Sequence, residues 1–293
     1  MTTYLKPMEG AYRWLFVKRA LLTHFMVISV YDILLRSLIA CLAVSLSSSV
    51  AGSLTIFRKA SFLVAGASHS ALAGAAVAVF LNSIGFELYY FPMALAFASL
   101  AALLASYSAR KGDINTGIAV SFALSMSIAV IALSATKEYA SKAWQLFFGD
   151  MLLLTDTDIV VISVSTSILL IFAAIYYYKF IFISFDPEGA EASNVNLHVV
   201  DLLLITLISI SVVSALKAVG AILVFAIFVA PAAAAREVGR SIESVFYFSF
   251  IIALMSLLIG LGISSILPIP AGALAALLVS SLYFFVTVFR NSN

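Results

Sequence analysis

Long, uninterrupted runs of apolar residues follow one another along most of this chain. Runs of about 18 or more apolar residues predict about nine membrane spans, or eight if one is re-entrant. The predicted spans are roughly 33–57, 60–82, 92–109, 114–134, 158–178, 199–216, 219–235, 243–266 and 271–289. Strands of a membrane barrel would alternate apolar and polar residues, whereas these runs are continuous. The pattern therefore predicts an all-α, polytopic integral membrane protein with about 8–9 transmembrane helices.

The composition supports a lipid-facing exterior. Of the 293 residues, 63% are hydrophobic and only 10% are charged. Soluble domains carry about 25% charged residues, because a folded surface must be solvated. A chain this poor in charge cannot cover a water-facing surface. Aromatic residues make up 13% of the chain, which suits the belts at membrane interfaces. A net charge of +2 gives no reason to expect a nucleic-acid partner.

The chain divides into a short N-terminal tail and one membrane domain. Residues 1–32 are predicted to form a tail with an interfacial helix over 11–30, where basic residues alternate with large apolar ones. Lys18 and Arg19 interrupt the first apolar stretch, so no cleavable signal is evident. Residues 33–290 are predicted to form a single transmembrane domain, since no polar stretch is long enough for a separate core. The single cysteine, Cys41, excludes an intrachain disulfide and a cysteine-rich metal cage.

The distribution of basic residues orients the predicted bundle. Cytoplasmic loops of membrane proteins carry an excess of Lys and Arg. When the chain is traced through the predicted spans, the loops on one side of the membrane contain Arg58, Lys59, Arg110, Lys111, Lys179, Arg236, Arg240 and Arg290. The other side receives Lys137, Lys142 and Lys217. The first side is therefore predicted to be cytoplasmic, although the basic N-terminal tail favours the opposite orientation.

The span at 60–82 contains a histidine beside a stripe of small residues. Gly66, Ser70 and Gly74 recur every four residues, so another backbone can approach this helix face closely. His69 lies next to the stripe, with Ala65 one turn earlier. An imidazole inside a membrane is costly unless it faces a polar cavity or a partner. Two interpretations stay open: His69 is a metal ligand in a transport pathway, or it forms a hydrogen bond that holds two helices together.

A polar break at 184–194 predicts a short cytoplasmic helix. Asp186 is a favourable N-cap, and Pro187 suits the first helical position. Glu188 and Glu191 stabilise a helix N-terminus through its dipole, and Asn194 can end the helix. The segment is either a solvated connector or a docking knob for a soluble partner.

The segment from Val219 to Ala235 predicts a kinked span. Pro231 removes a helix hydrogen bond, and the alanines that follow it permit close packing. Gly220 is a second candidate for a kink. Such helices occur both as moving parts of transporters and as static packing elements.

Four motifs in this order resemble the permeases of zinc, manganese and iron ABC importers. In that family a basic pair ends the first span and leads to Asp-x-x-x-His and Leu-Pro-Gly. The matching segments are Arg58-Lys59-Ala60-Ser61-Phe62 with His69 and Leu72-Ala73-Gly74, then Phe148-Gly149-Asp150-Met151-Leu152, Phe185-Asp186-Pro187-Glu188-Gly189-Ala190, and Val219–Val224 with Pro231–Ala235. The resemblance covers about residues 33–289. Two positions differ: the family's Asp is Ala65 here, and its Pro is Ala73.

The resemblance implies a transition-metal ion as substrate and several protein partners. Two permease subunits, identical or different, would enclose one pathway in a prokaryotic plasma membrane. A pair of ATPase subunits would bind the helix near 186–194, and an extracytoplasmic metal-binding protein would deliver the ion, with Glu87 in the docking surface. His69 would be the metal ligand, and because Ala65 lacks a carboxylate, either the substrate differs or the carboxylate comes from elsewhere. No cofactor would be bound permanently. ATP would be hydrolysed on the partner, since the chain lacks a Gly-rich phosphate-binding loop.

Two other functions fit the residues less well. A secondary transporter driven by an ion gradient usually has acidic residues within its spans or two related halves, and these spans are nearly free of Asp and Glu. An intramembrane metalloprotease would need His-Glu-x-x-His. The three histidines, His24, His69 and His198, are far apart in the sequence.

Overall fold

The computed structural model describes residues 31–109, 114–136 and 146–290, and this part of the chain is built from helices without a β-strand. We number the α-helices in chain order. They are α1 Tyr31–Phe57, α2 Phe62–Ser83, α3 Tyr90–Ala109, α4 Ile114–Ser134, α5 Asp156–Ile175, α6 Tyr177–Phe185, α7 Pro187–Ala192, α8 Leu197–Val219, α9 Leu223–Val238, α10 Ile242–Ser264 and α11 Ala271–Arg290. The interfacial helix predicted over 11–30 lies outside the described residues.

Each predicted span corresponds to one of these helices, which confirms the all-α polytopic fold. Within the described ranges, seven helices are long and apolar enough to cross a bilayer. The apolar part of α3 is shorter, Tyr90–Leu104. Helix α9 has 16 residues and begins later than predicted, because Gly220 has a φ of 93° and ends α8. Gly220 therefore lies in the connection between two helices, and its prediction as a kink within a helix was wrong.

Helix α2 lies at the centre of one half of the bundle. Of the residues in the most apolar stretch of α2, 83% are buried, compared with 22% for the same stretch of α11. Helices α3 and α4 pack against it through small side chains such as Ala71, Ala75 and Ala98, all of which are buried. Helix α8 contacts both this group and α5, and α9, α10 and α11 pack together beyond it. The lining of α2 with Gly, Ala and Ser allows these close helix contacts, as expected inside a membrane.

Two ion pairs connect helix ends on one side of the bundle. Arg36, near the start of α1, lies 2.8 Å from a carboxylate oxygen of Asp156 at the start of α5. Lys217, near the end of α8, lies 2.7 Å from Asp158, which belongs to the capping box of α5. The beginnings of α1 and α5 and the end of α8 therefore meet at one face. This is the side predicted to be extracytoplasmic, and we call it the outer end.

Two further ion pairs connect helix ends on the opposite side. Arg58, just after α1, lies 2.8 Å from Asp201 in the first turns of α8. Arg290, at the end of α11, lies 2.9 Å from Glu237 near the end of α9. The described basic residues of the predicted cytoplasmic loops lie at this end. We call this side the cytoplasmic end, after the orientation that the positive-inside rule predicts.

Replacing Gly74 by Ala is expected to loosen the packing of α2 and α3. A Cβ at Gly74 would overlap the backbone carbonyl of Met93, which cannot move without shifting α3. Overpacking of this kind costs about 1–3 kcal/mol. The matched control is Gly262→Ala in α10, where a Cβ meets nothing within 4 Å. Thermal unfolding in detergent should show a lower Tm for Gly74→Ala only, and equal Tm values would contradict the packing described here.

Candidate functional site

His69 lies in the middle of α2 and faces α4. Its Nδ1 is 3.1 Å from the thioether sulfur of Met126, and its ring meets the ring of Phe122 edge-to-face with centroids 4.5 Å apart. Both neighbours are one turn apart on α4, so they hold the imidazole from two sides. His69, Met126 and Phe122 are half-buried, and so is Ala65 one turn earlier on α2.

The small-residue stripe of α2 packs inside the chain. A Cβ at Gly66 would lie 3.0 Å from the side chain of Ile118 on α4, and the Ser70 and Ser125 hydroxyls are 2.8 Å apart. Gly74 faces α3. All three stripe residues, Gly66, Ser70 and Gly74, are buried. The close backbone approach predicted for this stripe is therefore found between helices of one chain, while His69 lies beside the stripe on a less covered face.

Within the described ranges, no group of three or more His, Cys, Asp or Glu side chains comes together that could hold a metal ion. His198 is exposed at the start of α8, on the cytoplasmic side. His24 lies outside the described residues. Of the histidines in the described part of the chain, the structure thus places His69 alone at membrane depth.

A side-chain hydrogen bond joins α1 to α9 one turn before Pro231. The ring of Pro231 cannot donate the helix hydrogen bond to the carbonyl of Ile227, four residues earlier. The hydroxyl of Ser48 donates to that carbonyl at 2.6 Å. Buried polar groups of the backbone must be paired inside a membrane, and a serine from a neighbouring helix supplies the missing partner here.

The bond from Ser48 depends on a π-helical turn in α1, Ser48–Gly52. A Cβ at Gly52 would overlap the carbonyl of Phe228, so α1 and α9 touch through their backbones at this point. The hydroxyl of Ser49 donates to the carbonyl of Phe246 on α10 at 2.6 Å. The turn thus joins three helices. Sequence reasoning missed it, although a run of serines followed by glycine inside an apolar span was a visible signal.

Two glycine motifs meet at the outer end. Gly149 has a φ of 61° and Gly220 a φ of 93°, and a Cβ at either position would overlap the backbone of the other segment. Asp150 N–H donates to the carbonyl of Lys217, and Ala221 N–H donates to that of Leu146, both at 3.2 Å. The Phe-Gly and Val-Gly motifs, which are far apart in the sequence, therefore form one contact.

A cavity of about 430 Å³ opens beside this contact. Its walls come from α2, α3, α5 and α8 and are mainly apolar. The ion pair of Asp158 and Lys217 lies at its edge. Tyr89, Tyr90 and Phe91 line it as well, and Tyr89 is 82% exposed. Glu87 is exposed in the adjoining loop.

The short helix α7 projects from the cytoplasmic end. Asp186 caps it by accepting a hydrogen bond from the Gly189 N–H at 2.9 Å, and Pro187 is its first residue. Glu188 and Glu191 are exposed, whereas Ala190 is fully buried against the bundle. The helix thus has one anchored side and one acidic side open to a partner.

Arg58 connects the helices that flank α7. Its Nε donates to Asp201 on α8 at 3.0 Å, and its Nη1 donates to the carbonyl of Ile183 on α6 at 2.6 Å. Only 24% of its side chain is exposed. The basic residue at the end of the first span therefore holds together both supports of α7, a role that its sequence position did not reveal.

A family model described as the ABC 3 transport family matches residues 30–290. The chain belongs to this family. The match includes every described helix, so the site residues above all lie within the segment that the family model covers. The resemblance seen in the four sequence motifs is thereby confirmed.

Relatives of this family cover nearly the whole chain. The manganese transport system membrane protein MntC of Listeria monocytogenes is 30% identical over 258 residues, 87% of this chain and 90% of the relative. The high-affinity zinc uptake system membrane protein ZnuB of Haemophilus influenzae is 24% identical, covering 90% of this chain and 99% of the relative. A solved structure of PsaBC from Streptococcus pneumoniae has a TM-score of 0.76 at 25% identity, covering 87% of this chain and 90% of its own.

Replacing Ser48 by Ala is expected to destabilise the protein by about 1–3 kcal/mol, because the Ile227 carbonyl is left unpaired in a buried site. The effect should shrink in a Pro231→Ala background, since the introduced alanine restores the backbone N–H that the helix needs. Unfolding free energies of the two single variants and the double variant measure this coupling.

Ser127→Ala is the control for this cycle, because Ser127 is exposed and its hydroxyl bonds only within its own helix. An equal loss from Ser48→Ala in both backgrounds would show that the hydroxyl does not replace the missing Pro231 bond.

Proposed function

We propose that this chain is the permease subunit of an ATP-driven importer of transition-metal ions in a prokaryotic plasma membrane. The observation that carries the proposal is the family match over the whole membrane bundle. Relatives named for manganese and zinc uptake support the metal substrate. ATP is hydrolysed by a separate pair of subunits, and the 33–290 membrane domain supplies the pathway and the docking helix.

The ATPase subunits bind α7. Its exposed Glu188 and Glu191 form an acidic face beside the cap made by Asp186 and Pro187, and the buried Ala190 fixes the helix to the bundle. A rigid, capped helix transmits a push better than a flexible loop. Closure of the ATPases therefore moves α7 together with the helices on either side of it.

A series of contacts runs from α7 to the neighbourhood of His69. Arg58 ties α6 and α8 to the end of α1, and the π-helical turn of α1 bonds to the Ile227 carbonyl of α9, one turn before Pro231. Helix α9 contacts α2, with the rings of Phe225 and Phe62 stacked at 6.3 Å. We propose that α9, which contains Pro231 and accepts a hydrogen bond from Ser48 of α1, is the element that responds to the ATPases.

The pathway lies along the less covered face of α2, against a second permease subunit. Ala65 and His69 are half-buried on this face, and the neighbouring α9 leaves Phe225, Val229 and Ala233 half-buried. A second subunit, a copy of this chain or a paralogue, covers these surfaces. The ion arrives at the outer end from an extracytoplasmic binding protein, which contacts the loop containing Glu87 and Tyr89.

Charge reversal of Glu188 and Glu191 to Lys is expected to abolish ATP-dependent metal uptake. The acidic face of α7 then becomes basic and no longer complements the charge of the ATPase surface that it contacts. Uptake by vesicles that contain the permease, the ATPase and the binding protein is the measurement, with copurification of the ATPase as a second readout. Glu87→Lys, the same change at the outer end, is the control and should retain the ATPase. Normal uptake and copurification in the double variant would remove α7 from the docking role.

Asp201→Asn is expected to uncouple ATP hydrolysis from transport, because Arg58 then loses its charged partner on α8 while the fold of α7 is unchanged. Metal imported per ATP hydrolysed should fall by about 5-fold or more, as for a coupling energy of about 1 kcal/mol. Asp156→Asn removes the partner of Arg36 in the outer pair and serves as the control. If both variants keep the same metal-to-ATP ratio as the parent chain, Arg58 does not transmit the movement.

A further inference from the structure

The donor atoms near His69 come from an unusual pair of side chains. Its Nδ1 lies 3.1 Å from the thioether sulfur of Met126. Neither α2, Phe62–Ser83, nor α4, Ile114–Ser134, contains an Asp or Glu. The one acidic residue of the neighbouring α9, Glu237, is near the cytoplasmic end and pairs with Arg290. At the depth of His69, the described helices that surround it thus offer nitrogen and sulfur and no carboxylate oxygen.

The distance between the two donor atoms suits one shared ion. Zinc–nitrogen bonds of about 2.0–2.1 Å and the zinc–thiolate distance of about 2.3 Å, taken here for the thioether, place the two donors about 3.1–3.6 Å apart, for angles between a right angle and the tetrahedral value. The observed separation of 3.1 Å is at the short end of this interval. The edge-to-face contact with Phe122 holds the imidazole in this orientation, so the pair is preorganised.

Both side chains are also reachable from outside the single chain. His69 and Met126 are half-buried, unlike the stripe residues beside them, which are enclosed by α3 and α4. Met126 also packs against the buried hydrophobic cluster that includes Ala71 and Ala129. Two ligands hold an ion weakly, which suits a pathway that an ion must also leave.

We propose that Met126 is a second metal ligand beside His69 and that the pair selects ions that accept sulfur, Cu⁺ and Zn²⁺, over Mn²⁺. Thioether sulfur favours soft ions and imidazole suits zinc and copper, whereas manganese prefers carboxylate and other oxygen ligands. The inference rests on the proposed function, because it assigns the selectivity of the same pathway.

Metal competition in one preparation tests this assignment. Vesicles with the permease, its ATPase and its binding protein are given equal Zn²⁺ and Mn²⁺, or Cu⁺ and Mn²⁺ under reducing conditions, and the imported metals are measured by elemental mass spectrometry. Met126→Leu keeps the size and shape of the side chain but removes the sulfur. It should lower the ratio of Zn²⁺ or Cu⁺ to Mn²⁺ by about tenfold, the lower end of what disturbing a metal site costs.

Two further variants sharpen the comparison. Met255→Leu on α10, where Met255 is 52% exposed on the outside of the bundle, is the control and should leave the ratio unchanged. Ala65→Asp places a carboxylate one turn from His69, and should raise manganese import relative to zinc. A result in which Ala65→Asp fails to favour manganese counts against the donor-type explanation.

The outcomes separate this inference from the proposed function. If Met126→Leu lowers the import of all ions equally, Met126 is a packing residue and the inference is overturned, while the importer function stands. An unchanged ratio with normal import overturns it as well. If the parent chain imports no metal with ATP, the proposed function itself fails.

Discussion

The absence of water within the bilayer is the constraint to which the whole arrangement of helices responds. Every backbone carbonyl left open inside the membrane needs a partner from the protein. Pro231 opens one such carbonyl, at Ile227, and Ser48 closes it from another helix. The same contact needs Gly52, because the two backbones touch beside it. A proline that would be costly in an isolated helix is thereby accommodated within the bundle, and the hydrogen bond that accommodates it joins α1 to α9 at a defined point.

Small side chains on α2 allow the neighbouring helices to pack closely against it. Without a hydrophobic driving force between helices in lipid, close van der Waals contact holds them together. The stripe of Gly66, Ser70 and Gly74 brings α3 and α4 against α2 and leaves His69 beside the packed face rather than within it. The residues of α2 that pack against neighbouring helices and the polar His69 ring therefore lie on adjacent sides of the helix. This separation gives a polar ring a less covered position without opening the core.

The two ends of the bundle differ in what their ion pairs connect. At the outer end, pairs of Arg36 and Lys217 gather helix ends around α5, beside the contact of two glycine segments. At the cytoplasmic end, Arg58 bonds to both helices that support α7. A displacement of α7 would therefore act on α6 and α8, which the partly buried Arg58 links to the end of α1. The outer end is tied by backbone contacts of Gly149 and Gly220, which leave little room for side chains.

Hydropathy and capping were enough to predict the fold class, the seven described helices long and apolar enough to cross a bilayer, and the capped helix at Pro187–Ala192. These signals act over short distances along the chain, so they can be read from neighbouring residues. The folded bundle was needed to show that Gly220 ends a helix and meets Gly149, that Arg58 pairs with Asp201, and that Met126 faces His69. Such contacts join residues far apart in the sequence. A local pattern does not contain them, because each depends on how two distant segments pack.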